Sequence, residues 1–309
     1  MFMNPLVSVV VTTYNRPDKL IGSVESVLKQ TYDKIEIIVV DDGSKIPIEP
    51  LLLDTFGPKV RCITHARNFG APKARNTGID NSSGEFIAFL DDDDIWAQDK
   101  LLKQIQLFEQ CDQSVGLVYS GFSYVNGGVE CLRNFPVLRG DVFKDLLMRN
   151  FIGSCSIPLI RRVCFDKVGT FDESFKSFQD WDMWLRILQV FRADFVNEIL
   201  VFREAHGEQI TSDLSRKISG RERLIDKYIN YYSAHKNQLS YQYRALSDNY
   251  YIYGNSAKGF YFSYKALRTH VTNHRNLLNF ILTIFPEKIR KNIIVEKKTQ
   301  KIGNVRFYR

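Results

Sequence analysis

Residues 86–90 form an apolar run that breaks directly into four consecutive aspartates, Asp91, Asp92, Asp93 and Asp94, followed by Ile95 and Trp96. Carboxylates this close repel one another and raise each other's pKa unless a cation compensates them. Hard oxygen donors with no His or Cys nearby favour Mg2+ or Mn2+ over zinc, with phosphate oxygens and water completing the shell. A solvated acidic loop or a helix cap is the plainer reading of such a run. The buried strand before it and the Ile-Trp pair after it favour the metal.

The run belongs to an alternation. Residues 7–12 are β-branched and almost wholly apolar, as expected of a strand buried on both faces of a parallel sheet. Pro17 opens a helical pattern in which Leu20, Val24, Val27 and Leu28 share a face as far as Gln30. Further strands are expected at 35–40, 60–64 and 85–90, with a helix over 71–81. Such alternation predicts an α/β fold built on an open sheet with crossover helices. Ligands collect beyond the carboxyl ends of the strands in these sheets. That is where Thr12 to Arg16, Asp41 to Ser44 and the aspartate quartet all fall, so three strand ends bring hydroxyls and carboxylates to one edge.

Charge divides the chain. Residues 215–309 carry 19 Lys/Arg and 5 Asp/Glu, net +14, whereas residues 1–214 carry 23 and 30, net −7. An acidic part with clustered aspartates suits a bound cation; a basic part rich in Tyr and Phe suits a polyanionic surface. The strand and helix alternation stops near residue 215, and helices are expected at 224–232, 241–253, 257–267 and 276–284. The boundary is placed at 213–220, giving regions 1–214 and 215–309. The N-terminal apolar run turns polar at Thr12 and Thr13, too early for a signal peptide or a membrane span. A cytoplasmic protein, soluble or peripheral on the inner face of the cell membrane, is expected. The five cysteines are odd in number and form no CxxC pair, which suggests free and mostly buried thiols, with no zinc site.

Six segments in order carry a resemblance: VSVVVTTYNR (7–16), VVDDGS (39–44), RNFGAPKARNTGI (67–79), FLDDDDIW (89–96), VGTFDESFKSFQDWDMWLRI (168–187) and FREAHGEQIT (202–211). Together they resemble the family 2 inverting glycosyltransferases of the GT-A type over residues 6 to about 212. The resemblance implies a Rossmann-like open mixed sheet flanked by helices and followed by a helical region. It implies that Thr12 and Asp41 line a nucleoside pocket, with Tyr14, Asn15, Arg16 and Asp42 beside them on the donor. Asp93 would be the principal ligand of Mn2+ or Mg2+, with Asp91 and Asp92 near the ribose or the metal; four identical residues leave the register open by one. Arg75 and Asn76 would face the donor. His206 would close over the diphosphate or touch the metal, and Arg203 and Gln209 are equally suited to phosphate.

Asp180 matches the catalytic base of the family. A sugar hydroxyl is a poor nucleophile, and a carboxylate that takes its proton lowers the barrier. A helix cap is the competing reading of Asp180, and Asp182 is the rival base. Family members often carry Glu-Asp here; Gln179-Asp180 removes one charge.

The implied reaction is a single displacement with inversion, from a nucleotide-sugar donor, UDP before dTDP or GDP, to a hydroxyl of a saccharide or lipid-linked oligosaccharide, within cell-surface polysaccharide synthesis. Two alternatives are kept. A nucleotidyltransferase acting on sugar phosphates would open on a Gly-rich basic loop, which VTTYNRPDKL is not. A non-catalytic polyanion-binding protein would use the basic tail, although nucleic acid is not the expected partner. Residues 277–301 join an apolar stretch to clustered cations, which suits peripheral membrane contact or packing against the rest of the chain. Self-association is left open.

Overall fold

The structure, a computed structural model, describes residues 4–204, 213–286, 289–290 and 292–294. The chain divides into two compact units.

The first unit opens as expected, with β1 (Val7–Thr13), α1 (Pro17–Leu28), β2 (Ile35–Asp41), α2 (Glu49–Phe56), β3 (Val60–Thr64), α3 (Ala71–Asp80) and β4 (Phe86–Asp91). Only α2 had no counterpart in the sequence reading. The four strands run parallel in the order β3-β2-β1-β4, so the chain reverses its direction of travel across the sheet between β1 and β4. Crevices at such a reversal are where open α/β sheets take ligands. Val9, Val10, Val11, Ile87 and Leu90 are fully shielded from solvent, each contributing about 1.5–3 kcal/mol by burial. This apolar bed holds the strand ends still. Helix α3 can lie close on β1 because Gly78 has no side chain: a Cβ there would stand 2.2 Å from Val10 Cγ1.

The remainder of the sheet is antiparallel in part and was not foreseen element by element. β5 (Asp94–Trp96), α4 (Lys100–Gln110), β6 (Val115–Asn126), β7 (Val129–Asn134), α5 (Phe143–Met148), β8 (Leu159–Arg161), α6 (Arg162–Val168), α7 (Gln179–Leu188) and β9 (Arg192–Glu204) follow. The full order is β3-β2-β1-β4-β8-β6-β9-β5, with β7 paired to β6, and the sheet is mixed as the resemblance implied. The stretch 121–157 contains the end of β6, all of β7 and α5. Its alternating polar and apolar residues suit a half-exposed hairpin.

The second unit comprises Leu147–Arg149, Phe175–Phe178 and the described residues from 213 onward. Its helices are α8 (Leu214–Lys227), α9 (Ile229–Ala234), α10 (Lys236–Tyr253), α11 (Ser256–Thr269) and α12 (His274–Ile281), the last running into a single 3-10 turn, Leu282–Ile284. Side chains of Asp213, Asn255 and Asn273 cap α8, α11 and α12, and Gly254 in the left-handed region ends α10. Gly259 allows α11 to approach α10, since a Cβ would meet the Tyr251 ring at 2.6 Å. Tyr232 and Gln242 donate to the Leu147 carbonyl at 2.8 and 2.7 Å, tying that short stretch to the helices. Among the described residues no helix is long and apolar enough to cross a membrane.

The cysteines are free. Only Cys155 and Cys164 are buried, which corrects the expectation of mostly buried thiols. Cys62 lies on the edge strand β3 and Cys131 on the outer strand β7, where one face meets solvent.

Candidate functional site

The carboxyl ends of β1, β2 and β4 lie side by side. Thr12 is in register with Asp91, and Thr13 with Asp41. Side-chain hydroxyls of α1 hold the turn after β4: Ser23 Oγ donates to the Asp94 carbonyl at 2.8 Å, and the Trp96 amide donates to Ser26 Oγ at 3.2 Å. The Trp96 indole donates to the Ser156 carbonyl at 2.9 Å. The aspartate turn is thus anchored on both sides.

The four aspartates have four different surroundings. Asp91 accepts from Arg75 Nη2 at 2.6 Å, with its side chain 25% exposed. Asp92 accepts from Thr13 Oγ1 at 2.8 Å and lies 3.4 Å from Arg16 Nη1, with 8% exposed. Burial pushes its carboxyl up to about 6, helped by Asp93 and Asp91 and opposed by Thr13 and Arg16. Asp93 lies 3.2 Å from Arg16 Nη1, with 12% exposed. Asp94 is buried 3.4 Å from Arg203 Nε, and burial raises its pKa against the pull of that guanidinium. Asp91 and Asp93, on alternate residues, therefore present more carboxylate surface than the residue between them.

Asp180 stands second in α7, close to the helix start as expected. Its Oδ1 accepts the Trp181 amide at 2.8 Å, and its Oδ2 accepts from Asn150 Nδ2 at 3.3 Å. Burial raises its pKa, Asp91 adds to the rise, and Arg75 and Arg203 oppose it. Phe178, two residues earlier, has φ 63°, a left-handed conformation that costs a bulky residue of order 1–3 kcal/mol and clusters at functional sites. Asp182 is wholly buried and ion-paired to Arg186 at 3.1 Å; that guanidinium also donates to the carbonyls of Val168 and Thr170. The rival base is thus committed to fixing the approach to α7.

Two buried cations face the carboxylates. Arg75 uses Nη2 on Asp91, whereas its Nε and Nη1 are buried without a hydrogen-bond partner. Arg203 donates to the Tyr124 hydroxyl at 3.2 Å and feels Asp94, Asp91 and Asp180. Burial would lower both pKa values, but neighbouring acidic groups override it and both are raised, Cys155 and Asp91 about Arg75 and Asp94 and Tyr124 about Arg203. The buried Cys155 thiol sits in the same field and is pushed up by burial. Cys155, Tyr124, Asn150 and Ser156 carried no motif and were not foreseen.

At the β2 end, Asp41 is buried; its Oδ1 accepts the Ser44 amide at 2.9 Å, while its Oδ2 has no partner. Asp42 accepts from the Phe69 and Gly70 amides at 3.0 and 2.7 Å and meets His65 Nδ1 at 2.8 Å, so it clasps the segment ahead of α3. Tyr14 is exposed, and Asn15, at φ 54°, accepts the Lys45 amide at 2.8 Å. Asn76 donates to the Phe171 carbonyl at 2.9 Å and the Glu173 carboxylate at 3.0 Å and accepts the Phe171 amide at 2.8 Å, so its amide is engaged by the segment that follows α6. His206 and Gln209 lie outside the described residues.

The structure therefore assembles Asp91, Asp93, Asp180, Arg75 and Arg203 at one end of the sheet, with Asp92 tied to Thr13 and Arg16 beside them. Among the described residues no three His, Cys, Asp or Glu side chains converge as a ready metal cage.

The family model described as glycosyl transferase family 2 matches residues 8–169. An uncharacterized glycosyltransferase of Rickettsia typhi is 32% identical over 232 residues, covering 73% of this chain and 72% of the relative. The Escherichia coli UDP-Glc:alpha-D-GlcNAc-diphosphoundecaprenol beta-1,3-glucosyltransferase WfgD is 32% identical over 184 residues, 60% of this chain and 70% of that one. Among solved structures, the mannosyltransferase PcManGT of Pyrobaculum calidifontis, in complex with GDP-Man and Mn2+, superposes with a TM-score of 0.62 at 17% identity, over 94% of this chain and 84% of its own.

Proposed function

Since this chain belongs to glycosyl transferase family 2, we propose that residues 1–214 perform an inverting transfer of a sugar from a nucleoside-diphosphate donor to a hydroxyl of a saccharide or lipid-linked acceptor. Family membership sets aside the nucleotidyltransferase reading. The observation that carries the proposal is Arg75. Its buried guanidinium is paired with Asp91 through Nη2 alone, and the nitrogens left over, Nε and Nη1, have no hydrogen-bond partner, which suits them to phosphate oxygens. A diphosphate supplies such oxygens.

The buried Asp41 Oδ2 lacks a donor, as an acceptor for a base N–H would. Thr12, in register with Asp91 at the reversal in the sheet, would lie along the same nucleoside. Arg16 holds Asp92 and Asp93 and so orients the turn toward the donor. UDP is the preferred nucleotide, in keeping with the UDP-Glc named for the E. coli relative.

A divalent cation, Mn2+ or Mg2+, would be held by Asp91 and Asp93 and would supply positive charge against the departing diphosphate. The donor set fits: two hard carboxylates on alternate residues match an ion that keeps phosphate and water in its shell. His206 remains a proposed third ligand. Asp180 Oδ2 takes the proton of the acceptor hydroxyl as its oxygen bonds the anomeric carbon. The bond to the diphosphate oxygen breaks with its electron pair. Arg75 and Arg203 balance the negative charge that accumulates there.

The test is incubation with UDP-, dTDP- and GDP-sugars, Mn2+ and undecaprenol-linked or free saccharides. Acceptor-dependent release of UDP from a UDP-sugar is expected. No release from any donor would overturn the reading, and release of pyrophosphate instead would reassign the chemistry to nucleotidyl transfer.

A further inference from the structure

Helix α12 is turned inside out. Its buried residues are polar, Asn276 and Asn279, whereas Leu277, Leu278, Ile281, Ile284 and Phe285 of the helix and its continuation are 47, 53, 40, 78 and 42% exposed. A helix packed on a water-soluble body ordinarily shows the reverse. Hydrogen bonds enforce the orientation. Asn276 donates to the carbonyls of Ala266 and His270 at 3.1 and 2.9 Å and accepts from Arg244 at 2.8 Å. Asn279 donates to Asp248 at 2.9 Å and accepts from Ser263 at 2.8 Å. Rotating α12 to bury its leucines would break all five bonds and expose nothing that needs water more. Within the described part of 277–301, Leu277, Leu278, Ile281, Ile284 and Phe285 thus stay exposed while Ile294 is buried; residues 287, 288, 291 and 295–301 lie outside it.

The apolar face extends onto α11. Phe260 and Tyr264, each nearly half exposed, lie with ring centroids 5.7 and 6.4 Å from Phe280. Contiguous exposed apolar surface of this kind marks a docking site. Its electrostatics choose the partner. Arg268, whose guanidinium lies over the exposed Tyr264 ring, and Arg275 are exposed beside this face, and the sequence from 249 to 286 adds no Asp or Glu; the acids packed nearby are already engaged, Asp248 with Asn279, Glu222 with Lys258 and Asp226 with Lys265. A second copy docked by two-fold symmetry would set these cations against themselves. An anionic bilayer offers phosphates to the cations and an acyl boundary to the leucines.

We propose that the α11–α12 face seats this protein on an anionic lipid surface, with Leu278, Ile281 and Ile284 entering the headgroup boundary. The proposal goes beyond sugar transfer and does not depend on it. Each cation near such a surface raises partition about fivefold, so binding falls steeply with added salt.

Co-sedimentation of the full chain with vesicles tests it, using phosphatidylcholine alone or mixed with phosphatidylglycerol. Strong binding is expected only with phosphatidylglycerol, at low salt. The double variant Leu278→Glu/Ile281→Glu should bind at least about tenfold more weakly, with circular dichroism and melting temperature unchanged because both side chains are exposed. Arg268→Glu/Arg275→Glu should weaken binding to the anionic vesicles alone. Wild-type protein that ignores anionic vesicles would overturn the proposal. So would a sedimentation-velocity dimer that the Leu278→Glu/Ile281→Glu change dissociates, since the face would then be covered by a second copy.

Discussion

Asp180→Asn is expected to lower kcat by about 10²–10⁴, the usual share of a general base, with KM for the donor changed by no more than a few-fold. The substitution is nearly isosteric. Its Oδ1 can still accept the Trp181 amide, so the helix start survives and only proton acceptance is lost. The pH profile makes the result specific. Burial raises the Asp180 pKa, and a base works only when ionised, so kcat/KM should climb with pH along a limb displaced above the ordinary carboxylate range. That limb should vanish in the variant. Asp182→Asn provides the contrast: it removes the partner of Arg186 and should lower the melting temperature while leaving the limb in place. If Asp182→Asn removed the limb and Asp180→Asn did not, the two roles would be exchanged.

Asp93→Asn is expected to cost about 10²–10³ in kcat, comparable to deleting one preorganised charge-stabilising group, and to raise the Mn2+ concentration needed for half-maximal rate. A second readout does not depend on turnover. A ligand that binds only the folded state raises its melting temperature. Mn2+ with UDP should stabilise wild type by more at pH 7.5 than at pH 5. Asp92, raised to about 6, contributes stability that is full below its unfolded value and is lost as pH rises through about 6, so the cation offsets a repulsion present only at the higher pH. Asp93→Asn should show little of that gain. An equal gain in the variant would mean that Asp93 does not hold the ion.

Much of this was legible because buried parallel strands are written as unbroken β-branched runs. Residues 7–12 and 37–40 could hardly be anything else, and their carboxyl ends located the site, whereas 60–64, with exposed Arg61, is a half-exposed edge strand. The aspartates were different. Four identical residues carry no register, and only their partners, Arg75, Thr13, Arg16 and Arg203, distinguish them. Asp42 and Asn76 show the same limit, since both sit in motifs yet spend their hydrogen bonds within the protein, Asp42 on the His65 ring and the amides of Phe69 and Gly70, Asn76 on the Phe171 backbone and the Glu173 carboxylate. β6 and β9 are long and irregularly registered, and their mixed polarity hid them. The two short stretches at 147–149 and 175–178 join the helical unit through space, which no linear boundary can express. In α12 the periodicity revealed an apolar face, but periodicity is blind to direction; Asn276 and Asn279 decide it.

The carboxylates at and just beyond the end of β4 are proposed to work through a divalent ion on the departing diphosphate. The most direct test of that role is acceptor-dependent release of nucleoside diphosphate by the wild-type protein, measured with Mn2+, then in excess EDTA, then with Mn2+ restored. Turnover should stop in EDTA and return with the metal. Undiminished turnover in EDTA would contradict that role.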